Sequence, residues 1–101
     1  LTAEDPRTEP LDNILAEMAD GVLRYPRVEG VDFWRVPDRG AALLHAVKLA
    51  QPNDIILTCG KGHEQSMCFG AVEYPWDDRE ALRRALHGKT LDTLPTHSAK
   101  S

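Results

Sequence analysis

Apolar residues recur at helical spacing in three stretches of the chain. This period predicts helices over about 11–20, 39–50 and 78–87. Asp38 is a candidate N-cap for the second helix, and Gly88 follows the third as a stop signal. The periodic positions are Leu11, Ile14, Leu15, Met18 and Val22 in the first stretch, Ala41, Leu44 and Val47 in the second, and Ala81, Leu82, Ala85 and Leu86 in the third.

Three other runs have the pattern of strands. The continuous apolar run over residues 55–59 predicts a strand buried on both faces of a parallel sheet, and residues 31–36 predict a second short strand. Residues 67–74 fold back around a glycine and predict a hairpin. The alternation of predicted helices and strands along the chain indicates an α/β domain over 1–88. We expect a mostly parallel sheet flanked by helices, with a short β-hairpin. Residues 89–101 are polar, and we expect a flexible tail there.

A glycine-rich loop over residues 60–64 follows the apolar run, where parallel sheets bind ligands. Gly60 and Gly62 permit a close approach of the backbone to a ligand. The loop does not match the phosphate-binding pattern GxxxxGK[ST], and a plain strand-to-hairpin turn is the alternative interpretation. Its other residues supply a cation, a titratable ring and a carboxylate: Lys61, His63 and Glu64.

The opening segment places Asp5 and Arg7 on either side of a rigid proline. An arginine fork suits a ligand carboxylate, and an aspartate suits a ligand amine. The two side chains together can hold the two ends of an amino acid. The alternative is a simple capping turn before the first helix.

Composition narrows the class of protein. The chain has 101 residues, of which 42% are apolar and 28% charged, as in one small globular domain. A net charge of -4 disfavours nucleic acid as a partner. The two cysteines are too few for a disulfide framework, and no leader or membrane-length apolar run is seen. We therefore expect a cytoplasmic protein without a membrane partner, and the missing initiator Met suggests part of a longer one.

Other chemistry is less well supported. Cys59, His63 and Cys68 fit no zinc pattern, so no metal site is expected. Cys59 ends the predicted buried strand, which favours a place in the core over a role as a nucleophile. Asp77 and Asp78 are interpreted as N-caps in preference to a catalytic carboxylate pair.

Four segments resemble the motifs of MurE-type Mur ligases, the UDP-N-acetylmuramoyl tripeptide synthetases. Residues 2–7, T-A-E-D-P-R, are similar to that family's T-x-D-N-P-R, and residues 37–42 are similar to its D-R-x-x-A-I helix start. Residues 53–64 end in G-K-G-H-E as the family's D-x-V-L-x-A-G-K-G-H-E segment does, and residues 77–80 read D-D-R-E as in the family. Order and spacing agree over about 1–88.

The resemblance implies the carboxy-terminal, Rossmann-like domain of a ligase in peptidoglycan biosynthesis. Such enzymes use ATP and Mg²⁺, bound mainly by domains outside this chain, to phosphorylate the D-glutamate γ-carboxylate of UDP-MurNAc-L-Ala-D-Glu. The amine of a diamino acid then attacks. The expected partners are the UDP-MurNAc-dipeptide, the diamino acid and the remaining domains. No catalytic residue is expected in this chain, and we predict that the fragment is inactive alone.

By motif position, Asp5 and Arg7 correspond to contacts with the distal end of the diamino acid, and Gly60 and Glu64 to contacts from the glycine loop. The loop is shaped by Lys61, Gly62 and His63. Members that add meso-diaminopimelate usually have Asn at the position of Asp5, whereas lysine-adding relatives tend to have Asp but lose the Arg. Arg7 therefore favours meso-diaminopimelate, Asp5 favours lysine or ornithine, and both readings stay open.

Two alternatives remain. One is a non-catalytic small-ligand or protein-binding α/β module, and the other is a Mur-like ligase with a different substrate. A phosphate-binding loop upstream in the same gene would favour an enzyme. If strands of the sheet lie outside the chain, an unpaired sheet edge would favour a dimer of the fragment.

Overall fold

The computed structural model describes residues 1–61 and 64–97. Within these residues the chain forms helices close to the three predicted ones and the predicted hairpin, and none of the helices is long and apolar enough to cross a membrane. The elements are α1 (Leu11–Val22), α2 (Arg39–Leu49), β1 (Ser66–Phe69), β2 (Val72–Pro75) and α3 (Asp78–Leu86).

Two of the helices begin at an aspartate. Asp38 accepts a hydrogen bond of 2.9 Å from the backbone N–H of Ala41, and Asp77 accepts one of 2.9 Å from that of Arg79. Each bond satisfies a backbone donor that the first turn of a helix leaves unpaired. α1 begins after Pro10 without a side-chain cap, so its position depends on burial of its apolar face, including Leu15.

The hairpin is antiparallel, and it also holds the opening segment of the chain. Gly70 lies at its turn with a φ of 63°, a conformation that favours glycine. Arg7 forms an isolated parallel bridge with Phe69, and its N–H donates to the carbonyl of Cys68 at 3.1 Å. The register pairs Ser66 with Pro75, Met67 with Tyr74, Cys68 with Glu73 and Phe69 with Val72.

The predictions of strands at 55–59 and 31–36 were wrong. Residues 55–59 make no backbone-to-backbone hydrogen bond with a described residue, and Ile55 and Leu57 are 92% and 81% exposed. The second run, over residues 31–36, has an isolated bridge between Glu29 and Phe33 and two hydrogen bonds with Leu1. The amino group of Leu1 donates to the carbonyl of Trp34 at 2.8 Å, and its carbonyl accepts from Val36 at 2.9 Å. An apolar run becomes a strand only where a neighbouring strand pairs with its backbone over several residues, and neither run has such a ladder with described residues. The mostly parallel sheet is therefore not formed within the described residues, and Cys59 is exposed, not in the core.

The core lies between α2, α3 and the hairpin and includes part of the expected tail. Leu91 and Leu94 are 8% and 4% exposed, and Thr96 donates a 2.7 Å hydrogen bond to Asp38. Burial of a leucine contributes about 1.5–3 kcal/mol, enough to hold this segment against the helices. Residues 89–97 thus pack on the domain where we expected a tail, and residues 98–101 lie outside the described part. The cluster consists of Ala3, Leu43, Met67, Trp76, Ala81, Ala85, Leu91 and Leu94.

Candidate functional site

The Asp5-Pro6-Arg7 turn is docked on β1 in an unusual backbone conformation. Asp5 and Arg7 have φ values of 37° and 55°, in the left-handed region that non-glycine residues rarely adopt. The side chain of Asp5 accepts a 2.8 Å hydrogen bond from the backbone N–H of Cys68, whose carbonyl accepts from Arg7. These bonds on both sides of Cys68 hold the strained turn in place, as is common at functional sites.

Lys61 joins this turn to the glycine loop. Its Nζ lies 3.0 Å from Oδ2 of Asp5, and Lys61 is only 2% exposed. A lysine this deeply buried requires a partner for its charge. Burial by itself raises the pKa of Asp5, but the Cys68 amide and the Lys61 ammonium outweigh it and lower that pKa. Both carboxylate oxygens of Asp5 thus accept hydrogen bonds within the protein.

Gly60 brings the two motif segments into direct contact. Its φ is 98°, and a Cβ there would lie 2.7 Å from Oε2 of Glu4. A side chain at this position would therefore be strained and would displace Glu4. Glu64, at the far end of the loop, is exposed and donates its backbone N–H to the carbonyl of Lys61 at 3.0 Å. Gly62 and His63 lie outside the described residues, so their predicted role is untested.

Sequence reasoning missed Arg39, which we considered only as the start of a helix. Its side chain is almost completely buried and donates to Asp78 through Nε at 2.8 Å and Nη2 at 2.7 Å. Nη1 donates to the carbonyl of Ala3 at 3.1 Å, and Nη2 donates to that of Cys59 at 2.9 Å. The only signal in the sequence was the resemblance at residues 37–42, which gives no indication of these partners.

Asp78 is an ion-pair partner, whereas Asp77 is the cap that we predicted. Trp76 donates its indole N–H to Asp78 at 2.6 Å, in addition to the two bonds from Arg39. Burial raises the pKa of Asp78, but the hydrogen bonds from Arg39 and Trp76 prevail and lower it. A carboxylate held ionised in the core provides a fixed anchor for the guanidinium.

A cavity of about 510 Å³ lies beside these loops, between α1, α2 and residues 56–60. Its lining includes Glu4 and Gly60 but not Asp5, Arg7 or Glu64, and most of it is apolar. The cavity therefore adjoins the predicted site and does not coincide with it. The apolar lining includes Ile14, Met18, Leu43, Ile56 and Leu57.

The exposed charges of the two loops are of opposite sign. Arg7 and Glu64 are both exposed, and neither takes part in a salt bridge with another described residue. No group of three or more His, Cys, Asp or Glu side chains in the described part of the chain is placed to hold a metal. A guanidinium and a carboxylate on two joined loops suit a ligand that has both a carboxylate and an ammonium group.

Comparisons with known proteins agree with this arrangement, although no protein-family model matches the chain. The chain is 42% identical over 86 residues to a UDP-N-acetylmuramyl-tripeptide synthetase of Roseiflexus sp. (strain RS-1). It is equally similar to the UDP-N-acetylmuramoyl-L-alanyl-D-glutamate--2,6-diaminopimelate ligase of Streptomyces coelicolor. Each match covers 85% of the chain and 17% of the relative. A solved structure of a ligase with the same name as the Streptomyces protein superposes with a TM-score of 0.75 at 31% identity, over 87% of the chain and 17% of that structure.

The sequence and the fold are thus similar to those of a segment of the Mur ligases, enzymes of peptidoglycan biosynthesis. More particularly, these relatives are MurE-type tripeptide synthetases, which confirms the resemblance found in the sequence motifs. The chain spans only 17% of the length of these relatives.

Proposed function

We propose that this chain is the amino-acid-selecting, carboxy-terminal part of a cytoplasmic, ATP-dependent ligase. The ligase adds a diamino acid to UDP-MurNAc-L-Ala-D-Glu, and its third domain is Rossmann-like, with further strands contributed by the rest of the protein. The observation that supports this most directly is the Lys61–Asp5 salt bridge, which joins two motif segments far apart in the sequence. The similarity to tripeptide synthetases along 85% of the chain supports the same function.

The ligand is held at its ends by opposite charges. Arg7 binds the distal carboxylate, Glu64 binds the ammonium group, and Gly60 lets the ligand approach the backbone. Asp5 is occupied by Lys61 and by the Cys68 amide, so we assign it a supporting role. This assignment favours meso-diaminopimelate over lysine or ornithine, because only meso-diaminopimelate has a carboxylate at its distal end for Arg7.

ATP and Mg²⁺ belong to the rest of the ligase in this proposal. The loop over residues 60–64 does not match the phosphate-binding pattern GxxxxGK[ST], so we assign phosphate binding to the rest of the ligase. ATP supplies the activation of the substrate carboxylate as an acyl phosphate. This chain orients the amine, which forms the new C–N bond as the phosphate leaves. We therefore expect no ligase activity from the chain alone.

Amino-acid-dependent ATP turnover by the ligase that contains this chain tests the proposal. With UDP-MurNAc-L-Ala-D-Glu present, we expect turnover with meso-diaminopimelate in preference to L-lysine or L-ornithine. Arg7→Ala should raise the KM for meso-diaminopimelate roughly 10- to 100-fold, since a charge-assisted pair contributes about 1.5–3 kcal/mol. Arg24→Ala, at an exposed arginine in the turn after α1, is the matched control and should leave that KM unchanged.

The other outcomes separate the alternatives. Turnover with L-lysine that is insensitive to Arg7→Ala would contradict the assignment of meso-diaminopimelate. No turnover by the folded protein with any of the three amino acids would exclude tripeptide synthesis. That result would leave a small-ligand or protein-binding module, or a Mur-like ligase with a different substrate.

A further inference from the structure

One buried side chain contacts both loops of the proposed site from the core side. Arg39 is 3% exposed and donates four hydrogen bonds, to two backbone carbonyls and to both oxygens of Asp78. We propose that Arg39 is the positioning residue that sets the separation of the two ligand-binding loops. This inference rests on the proposed function and adds to it a residue that does not touch the ligand.

The two carbonyls are next to the motifs that hold the ligand. Ala3 lies two residues before Asp5, and Cys59 immediately precedes Gly60. Nη1 donates to the first carbonyl at 3.1 Å and Nη2 to the second at 2.9 Å. A guanidinium is planar and rigid, so these bonds hold the two carbonyls at a fixed separation.

A third contact fixes the guanidinium to the core. Asp78, in the first turn of α3, receives bonds of 2.8 and 2.7 Å from Arg39 and one of 2.6 Å from Trp76. Trp76 is itself 2% exposed and belongs to the core cluster. Arg39 thereby connects both loops to α3 through contacts that are separate from the Lys61–Asp5 salt bridge.

Lysine cannot reproduce this arrangement. Its single nitrogen keeps the positive charge and can pair with Asp78, but one point donor cannot reach both carbonyls and both carboxylate oxygens. A small shift between the loops would move Arg7 relative to Glu64, so that the two side chains no longer pair fully with the two ends of one ligand. Arg39→Lys therefore separates the positioning role from the charge.

The test compares Arg39→Lys with Asp38→Ala in the ligase that contains this chain. Asp38→Ala removes the adjacent helix cap and its bond with Thr96 but leaves every contact of the guanidinium. We expect Arg39→Lys to raise the KM for the diamino acid about tenfold, as the partial loss of one charge-assisted bond would, with kcat and the KM for ATP changed less than about twofold. Asp38→Ala should lower the melting temperature without changing the KM for the diamino acid.

Each outcome is decisive. A merely structural role would reduce the active fraction, and so kcat, in both variants, and an unchanged KM for the diamino acid in folded Arg39→Lys overturns the proposal. If Arg39→Lys does not fold, Asp78→Asn provides the test. It weakens the ion pair that holds the Arg39 guanidinium in place and should raise the KM for the diamino acid severalfold. An unchanged KM in that variant overturns the proposal as well. Absence of turnover in the unsubstituted ligase would instead overturn the proposed function, and this inference with it.

Discussion

Lys61 and Asp5 form a salt bridge in which the lysine is buried and the aspartate is partly exposed to solvent. The lysine side chain is 2% exposed, whereas that of the aspartate is 31% exposed. The lysine therefore depends on the aspartate more than the reverse, since a buried ammonium has no access to water. This asymmetry helps to explain how the turn at Asp5 keeps its left-handed conformation. The buried Lys61 ammonium cannot exchange Asp5 for water, so it holds the turn together with the Cys68 amide.

Neutralising the aspartate should be measurable in stability. We predict that Asp5→Asn in the 101-residue chain lowers the free energy of unfolding by about 2 kcal/mol, because it leaves the buried Lys61 ammonium without a charged partner. The double variant Lys61→Met/Asp5→Asn should recover part of the loss, since it no longer leaves a charge unpaired. Urea unfolding followed by circular dichroism measures both. Equal stability of Asp5→Asn and the unsubstituted chain would contradict the importance of this pair.

Acid should destabilise the fold through Asp78. The pKa of this carboxyl is lowered in the folded state, because the bonds from Arg39 and Trp76 outweigh the effect of burial. A lowered folded-state pKa contributes stability that is fully present above the unfolded-state value, near pH 4, and is lost as the pH falls through the folded-state value. We predict that urea midpoints fall as the pH decreases from about 5 to 2, and that Asp78→Asn makes this fall shallower. An identical pH profile for the variant would contradict the prediction.

The helices differ in how their first turns are stabilised. α2 and α3 begin with an aspartate that accepts a backbone hydrogen bond, whereas α1 has no side-chain cap. Asp38 is nearly buried and also accepts from Thr96, but Asp77 bonds at the surface with Arg79. The cap of α2 therefore links that helix to residues beyond α3, while the cap of α3 is local.

This difference predicts unequal costs for the same substitution. Asp77→Ala should lower the free energy of unfolding by about 1 kcal/mol, the usual contribution of an N-cap. Asp38→Ala should cost more, about 2 kcal/mol, because Thr96 also loses its partner in a partly buried site. Asp12→Ala, at an exposed position in the first turn of α1, is the control and should change stability by less than about 0.5 kcal/mol. Thermal unfolding monitored by circular dichroism measures the stability of the three variants. Equal losses of stability in Asp38→Ala and Asp77→Ala would contradict a contribution from the bond between Asp38 and Thr96.

On the scale of the whole molecule, the described part of the chain includes an exposed apolar segment over residues 55–59. Residues 55–59 have no strand partner among the described residues. Ile55 and Leu57 are exposed, and Leu57 also lines the cavity between α1 and α2. Unpaired backbone next to exposed apolar side chains favours pairing with another strand. In our proposal the rest of the ligase supplies that strand, and in the isolated chain a second copy can take its place.

We therefore predict that the isolated chain dimerises through residues 55–59. Sedimentation velocity over a concentration series should show a dimer that weakens when Leu57→Lys places a charge in the interface. Val31→Lys is the control, because Val31 is also an exposed apolar residue, 69% exposed, but lies outside the segment. A single monomeric species at every concentration, or equal weakening by both variants, would exclude this interface.

The sequence alone determined the features that depend on local interactions. Helical spacing and the caps at Asp38 and Asp77 are set by neighbours a few residues away, so the helices were predicted to within about a turn. The hairpin turn at Gly70 is local in the same sense. The motif segments around Asp5 and Gly60 were also found in the sequence, because their resemblance to MurE-type ligases depends on residue order.

Only the tertiary structure decided the contacts between distant residues. Lys61 meets Asp5 across 56 positions, and Arg39 reaches Asp78 across 39. No periodicity encodes such pairings, because they arise when whole elements pack. The strand predicted at 55–59 failed for the same reason, since its pairing depends on residues other than its own. Residues 89–97 pack on the domain, where we expected a tail, because Leu91 and Leu94 are buried against the helices.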